Sequence, residues 1–455
     1  MHFLHALLLL LLLPSILCAS EFDFYQQQGE KNGNTLLVIG GIDGDEPGGF
    51  HAAATLTTHY RISKGNLWVV PNLNFTDILK RRRGDMNLKF ASVNKNDPDY
   101  QNIQRIKKII TRPQVDLVLN LHDGSGFYHP RRINSQRGPH RWGQSCVIDQ
   151  KFLKGSAFGN LIQLAGTTIQ QINSKAQTGD HHFQLKNIET AAAKEGIPAK
   201  KSLSYFAIRH EKPAIAVEAS KEHPLHLRTY YHLLAIESFM QQTGIHFTRD
   251  FSLTPDDVRQ IIKKDALISF ADGRIQLELN NMRPTINNVP LPKQETIGYA
   301  TRNPLITLRQ AEQRYRIHYG NNRLAFITPS YVELDNSIDA VKMSIDGRPQ
   351  EIPFGTIIPV SRNFTVATQK GYRVNVVGFP KPKNQQGDGH TTINLRQLNR
   401  KYSIDKAGQL YRVEIYRDER FSGMVLVDFR PQSRKKEPLV AQALEKKTNR
   451  IEKHN

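Results

Sequence analysis

A chain of 455 residues with 39% hydrophobic content is too long for one ordinary domain and too apolar for wholesale disorder. Its formal net charge of +20 calls for an anionic partner or surroundings. Two cysteines, Cys18 and Cys146, exclude a disulfide framework, so the fold must rest on cores that stand alone.

The first twenty residues contain no Lys, Arg, Asp or Glu and are dominated by the leucines at 7–13. The apolar run stops at Pro14 and is followed by Cys18-Ala19-Ser20, small residues suited to cleavage. It is short for a bilayer span, and nothing later in the chain approaches that length. We therefore expect a cleaved signal peptide over residues 1–20, a bacterial periplasmic location and no transmembrane segment after cleavage. Cys146 is then left without a partner. Export argues against nucleic acid, for which no binding signature is visible; an anionic cell wall rich in carboxylates matches the charge better.

From residue 21 to about 245, strand and helix signals alternate, which predicts helices flanking a mixed, mostly parallel sheet. Strands are expected at 35–39, 66–70, 115–121 and 214–217, and helices at 50–59, 100–111, 156–172 and 223–242. Ile103, Ile106, Ile109 and Ile110 give the second helix its apolar face. Beyond 245 the texture changes to one small helix at 256–264, then short strands with turn punctuation. Asp272-Gly273, Gly320-Asn321 and Asp346-Gly347 are expected hairpin loops. This predicts two all-β modules, a β-barrel-like one at 246–336 and an immunoglobulin-like sandwich at 337–432, with a basic tail at 433–455.

The strand ends of the first region carry the chemistry. The strand at 35–39 runs into Gly40-Gly41-Ile42-Asp43-Gly44-Asp45-Glu46-Pro47, a loop offering two carboxylates three residues apart. Taken alone, that loop also fits a strand-to-helix turn with acidic caps. The strand at 115–121 delivers His122 and that at 214–217 delivers Glu218, and a parallel sheet brings such ends to one rim. A catalytic zinc wants this set: three protein ligands, an open fourth position, and a separate carboxylate as base. Asp43, Glu46 and His122 are the expected ligands and Glu218 the base.

These motifs resemble the M14-type zinc carboxypeptidases over residues 30–245. Asp43-Gly44-Asp45-Glu46 stands where that family has His-x-x-Glu. Leu119-Asn120-Leu121-His122 supplies its second histidine and Ala216-Val217-Glu218 its catalytic glutamate. Asp85-Met86-Asn87-Leu88-Lys89-Phe90 is similar to the family's Asp-Leu-Asn-Arg-x-Phe substrate motif. Two departures stand out. Asp43 replaces the first histidine, which leaves a bound metal less positive. Leu88 replaces the arginine that grips the substrate's terminal carboxylate; Arg81, Arg82, Arg83 or Lys89 is left to do so, with Arg83 preferred for its planar fork and Asn87 assisting.

The substituted ligand, the export signal, the missing disulfides and the added β-modules narrow the likeness to the peptidoglycan DL-carboxypeptidases that set cell shape in helical and curved bacteria. That resemblance implies zinc-dependent trimming of stem tripeptides to dipeptides, cutting between γ-D-glutamyl and meso-diaminopimelate and releasing the latter. The aromatic and basic segment at 127–142, with Trp142, is expected to wall the site, and Tyr205 to donate a hydrogen bond near the scissile amide unless it is a strand tyrosine. Asp123 is expected to orient a ligand imidazole, and His181 and His182 to be surface residues. Other cell-shape proteins are possible partners of the β-modules. Two alternatives remain open here: a zinc acylase of the desuccinylase and aspartoacylase type, and a degenerate cell-wall-binding protein.

Overall fold

Strand β2 (Lys31–Ile39) shows why the front half folds as it does: its last five residues, Thr35 to Ile39, are all buried. A strand hidden on both faces needs helices above and below and parallel neighbours beside it. It has them: β3 (Tyr60–Val70) and β4 (Leu117–Gly124) flank β2 in parallel. The other strands of this sheet are β1 (Tyr25–Gln28), β5 (Ser145–Ile148), β6 (Gln184–Asn187), β7 (Ala214–Ser220) and β8 (His246–Arg249). The order is β1-β3-β2-β4-β7-β5-β6, with β8 also on β3. Strand β1 and β8 meet β3 antiparallel, β7 and β4 are parallel, and β5 runs antiparallel to β7, so the sheet is mixed. Helices α1 (Pro47–His59), α2 (Phe75–Lys80), α3 (Tyr100–Ile110), α4 (Leu161–Asn173), α5 (Leu203–Arg209), α6 (Leu225–Gln242) and α7 (Pro255–Lys264) surround it. All four expected isoleucines of α3 are buried.

This computed structural model describes residues 22–431 apart from 177, 294–296, 368 and 381–386. The expected signal peptide, Cys18 and the basic tail lie outside the described residues. No described helix is long and apolar enough to cross a membrane. Cys146 is buried and free.

Several differences from the sequence expectations have local causes. Helix α4 starts at Leu161, not 156, because the Asn160 side chain accepts from the Gln163 N–H and caps it there. Residues 203–209 are helical, started by the Ser202 hydroxyl, so Tyr205 is not on a strand. The α/β unit also continues past 245: β8 pairs with β3, and Val258 of α7 is buried in the same core.

After α7 the chain is all-β. Leu267–Phe270 and Ile275–Glu278 form a hairpin around Asp272-Gly273. A four-stranded sheet follows in the order Thr285–Pro292, Asn322–Val332, Arg314–Tyr319, Ile306–Ala311. Two more four-stranded sheets enclose a separate apolar cluster that includes Val341, Phe364, Val413 and Val427. The turn at Asp346-Gly347 has both φ positive, at 52° and 89°, the conformation that two-residue hairpins favour.

One contact between the halves bears on the site. The tip Gly320-Asn321 presses on α1, where a Cβ on Gly320 would come within 2.8 Å of the Phe50 ring. Asn321 Nδ2 donates to the Gly44 carbonyl at 3.2 Å. The β-modules therefore touch the loop that carries Asp43 and Glu46.

Candidate metal centre

The loop after β2 is shaped by close backbone approaches. A Cβ on Gly44 would lie 2.1 Å from the Asp77 carbonyl carbon of α2, and one on Gly48 would lie 2.4 Å from Asp123 Oδ1. Only glycine lets the loop settle there. Pro47 then opens α1, where no amide hydrogen is needed. The Gly48 N–H donates to Asp123 Oδ2 at 2.7 Å, tying the start of α1 to the end of β4.

This folding brings Asp43, Glu46 and His122 together. Each offers one ligand atom, and these atoms all lie within 4.8 Å of one another. His122 Nδ1 is 2.9 Å from Glu46 Oε2 and 3.4 Å from Asp43 Oδ2. All three side chains are buried, and Asp43 Oδ2 has no hydrogen-bond partner. Burial works against a charged His122, but the nearby Asp43 and Glu46 carboxylates prevail and hold its pKa well above the ordinary imidazole value. Two buried carboxylates thus demand positive charge at their centre. A mixed N/O donor set with an orphaned carboxylate oxygen fits a divalent cation that replaces that proton.

Glu218 lies beside this group without belonging to it. In the parallel pairing of β4 and β7 it stands directly opposite His122, so the two side chains share a face. No hydrogen bond from its carboxylate is found among the described residues. Burial, eased by His122 and reinforced by Glu46, Asp123 and Asp43, pushes the Glu218 carboxyl up to about 8. A carboxylate so raised and unpaired is suited to holding and passing a proton.

Residues 6–263 match the family described as the catalytic region of carboxypeptidases controlling helical cell shape, and residues 334–430 match the C-terminal domain of metallo-carboxypeptidases. The chain belongs to this family. Among solved structures, the apo cell shape determinant protein Csd4 of Helicobacter pylori is 36% identical, with a TM-score of 0.74 over 90% of this chain and 100% of its own. The tripeptide-bound form gives the same values. The mDAP-bound form, named a D,L-carboxypeptidase, is 37% identical, with a TM-score of 0.75 over 89% of this chain and 99% of its own. No curated protein sequence matches.

Within this metallocarboxypeptidase, the basic run after α2 sorts itself by partners. Arg81 donates to the Asn321 carbonyl and, at 2.6 Å, to Asn322 Oδ1. Arg82 pairs with Asp77. Arg83 is exposed and has no ion-pair partner among the described residues. Burial of part of its side chain opposes its charge, but Asp43, Glu46, Glu218 and Asp45 outweigh that and raise its pKa. The Lys89 ammonium lies 2.7, 2.9 and 2.9 Å from Asp85, Asp97 and Asp99, so it holds its own segment together. Asn87 Oδ1 accepts from the Leu203 N–H at 3.0 Å, fixing α5. Tyr205 on α5 is half-buried, and no hydrogen bond joins it to the donors or Glu218.

The segment at 127–143 does return to the rim. A Cβ on Gly124 would strike Gly143 N at 2.5 Å, and one on Gly143 would meet Ser220 Cα at 2.6 Å. Trp142 therefore sits over the strand ends just past His122 and Glu218. Lys186 of β6 holds this wall: its ammonium lies 3.8 Å from the Trp142 ring and 4.5 Å from the Tyr128 ring, and donates to the Pro139 and Arg141 carbonyls. Burial, opposed by Glu218, lowers its pKa to about 8.

Asp123 does not orient a ligand imidazole. It accepts from Gly48 N–H, from Arg228 at 2.7 Å and from His232 at 3.1 Å, and so anchors the metal loop to α6. Lys221, 2.6 Å from Asp45 and 3.5 Å from Glu46, braces that loop from the other side. His181 is not a plain surface residue: it bonds the Tyr231 hydroxyl at 2.6 Å and packs on His223. Sequence reasoning missed Lys186, Lys221, Arg228 and His232. Only Lys221, three residues after Glu218, carried a local signal.

Proposed function

We propose that this protein is a periplasmic, zinc-dependent D,L-carboxypeptidase that trims peptidoglycan stem tripeptides to dipeptides and releases meso-diaminopimelate, thereby affecting cell shape. The observation that carries this is the buried Asp43, Glu46 and His122 group with an unpaired Glu218 opposite His122. The tripeptide and mDAP complexes of Csd4 support the substrate. Zinc suits a set of two carboxylates and one imidazole with a position left open. When bound, the ion polarises the scissile carbonyl and acidifies water. Glu218 accepts the water's proton and returns it to the departing amine of diaminopimelate. Arg83 grips a substrate carboxylate in bidentate fashion, and Trp142 and Tyr128 wall the cleft. The leader at 1–20 directs export.

The same proposal extends to the β-modules: a barrel-like module ending near 336 and an immunoglobulin-like one to 432. The apolar cluster confined to the last module supports it, while the middle cluster also takes in Phe50 of α1 and Phe421 and Leu426 of the last module. The test is mass spectrometry of murein peptides incubated with zinc-loaded protein. Tripeptide should convert to dipeptide plus free diaminopimelate, and a chelator should stop it. Untouched tripeptide together with cleavage of acylated amino acids would overturn the proposal.

A further inference from the structure

The sheet built from Ile306–Ala311, Arg314–Tyr319 and Asn322–Val332 has one face that the proposed chemistry leaves unused. Tyr315, Ile317 and Tyr319 point into the core, so alternation puts Arg314, Arg316 and His318 on the other side. Arg309 lies opposite Arg316 on one neighbouring strand. Phe326 lies opposite Arg316, and Arg323 opposite His318, on the other. Four arginines thus share this face, two of them over the Phe326 ring.

Two of those charges are held by a ring contact, and none is neutralised. The guanidiniums of Arg314 and Arg316 stack 4.4 and 4.5 Å from the centre of the Phe326 ring, which orders them while leaving their N–H groups free. None of the four arginines has a carboxylate partner among the described residues; Glu312, in the turn at one end, is the acid nearest in sequence. His318 registers the same charges. Burial, then Arg316, Arg323, Arg309 and Arg81, lower its pKa to about 4, and no acid offsets them.

The face runs on to the metal loop. Arg81 bonds the hairpin tip at Asn321 and Asn322, and Asn321 in turn donates to Gly44, next to Asp43. We infer that this arginine face is a docking surface for intact peptidoglycan, whose carboxylate-bearing stem peptides it holds while a neighbouring peptide enters the metal centre. This rests on the proposed carboxypeptidase activity. Guanidinium forks on adjacent strands suit a polymer with repeated carboxylates. A membrane is a poorer fit, because Phe326 is capped by guanidiniums and offers no apolar wedge.

The test uses the triple variant Arg309→Gln/Arg314→Gln/Arg323→Gln. A control variant, Arg348→Gln/Arg396→Gln/Lys406→Gln, loses the same charge from exposed positions elsewhere. Binding to purified sacculi is measured by co-sedimentation, and hydrolysis is measured on soluble tripeptide. The triple variant should bind sacculi on the order of tenfold more weakly at low salt, with the difference shrinking as salt rises. Its soluble hydrolysis should match wild type, and the control should bind normally. Equal sacculus binding by both variants would overturn the inference, as would wild-type binding to phosphatidylglycerol vesicles in preference to sacculi. A wild type that binds sacculi but leaves soluble tripeptide intact would instead count against the proposed activity.

Discussion

The metal centre and the arginine face of the β-region handle charge in opposite ways. At the centre, Asp43, Glu46, His122, Asp123, Glu218 and His232 are all buried, and Asp123 is matched to Arg228 and His232. On the sheet face, Arg309, Arg314 and Arg323 are exposed to solvent. Buried charge is expensive and must be placed to a fraction of an ångström, which suits bond breaking. Exposed charge costs little and reaches far, which suits capture of a large anion. The difference teaches that cutting and holding are separable, and each half can be broken without the other.

The sharpest break is Arg228→Met. It leaves Asp123 buried with one partner fewer, and unfolding should be easier by ~3–5 kcal/mol in a denaturant titration. A second probes a buried acid with no cationic partner. Burial, eased by the Thr190 hydroxyl, pushes the Asp149 carboxyl up to about 6. The folded state therefore favours its protonated form, and this contribution is present below pH ~4 and lost as pH rises through about 6. Asp149→Asn should be more stable than wild type at pH 7.5, by up to ~3 kcal/mol, with the gap closing below pH ~4.

Arg83→Gln tests the substrate grip. Losing a charge-assisted bond should lower kcat/KM on tripeptide by roughly ten- to a hundredfold, with metal content unchanged. The smallest expected effect is on the other side of the comparison: Arg309→Gln should shift stability by less than ~0.5 kcal/mol, read as an unchanged thermal midpoint. A large loss there would mean that the face is structural.

Much of the centre was legible in the sequence because its residues follow strands. Asp43 follows β2, and the apolar runs of β4 and β7 give way to His122 and Glu218 two residues before those strands end, so all three fall at one rim. The supporting residues were hidden for the converse reason. Lys186 lies on the four-residue β6, too short for a periodic signal, and reaches Trp142 only through a fold-level pairing. His232 and Arg228 interrupt an apolar helix, and their partner Asp123 lies more than a hundred residues away in the chain. The partners of Lys89 were hidden too, because motif likeness says nothing about the three aspartates that its own loop folds around it. The pairing of β8 with β3 was hidden because it comes from beyond the change in texture at 245.

The central claim is that Asp43, Glu46 and His122 hold one ion and that Glu218 works beside it. It is tested most directly by measuring zinc content and diaminopimelate release together in wild type, Glu218→Gln and His122→Ala. Wild type and Glu218→Gln should each bind one equivalent of zinc, with release slowed at least ~100-fold in the latter, and His122→Ala should lack both. Full-rate release by Glu218→Gln, or a full equivalent of zinc in His122→Ala, would contradict the account.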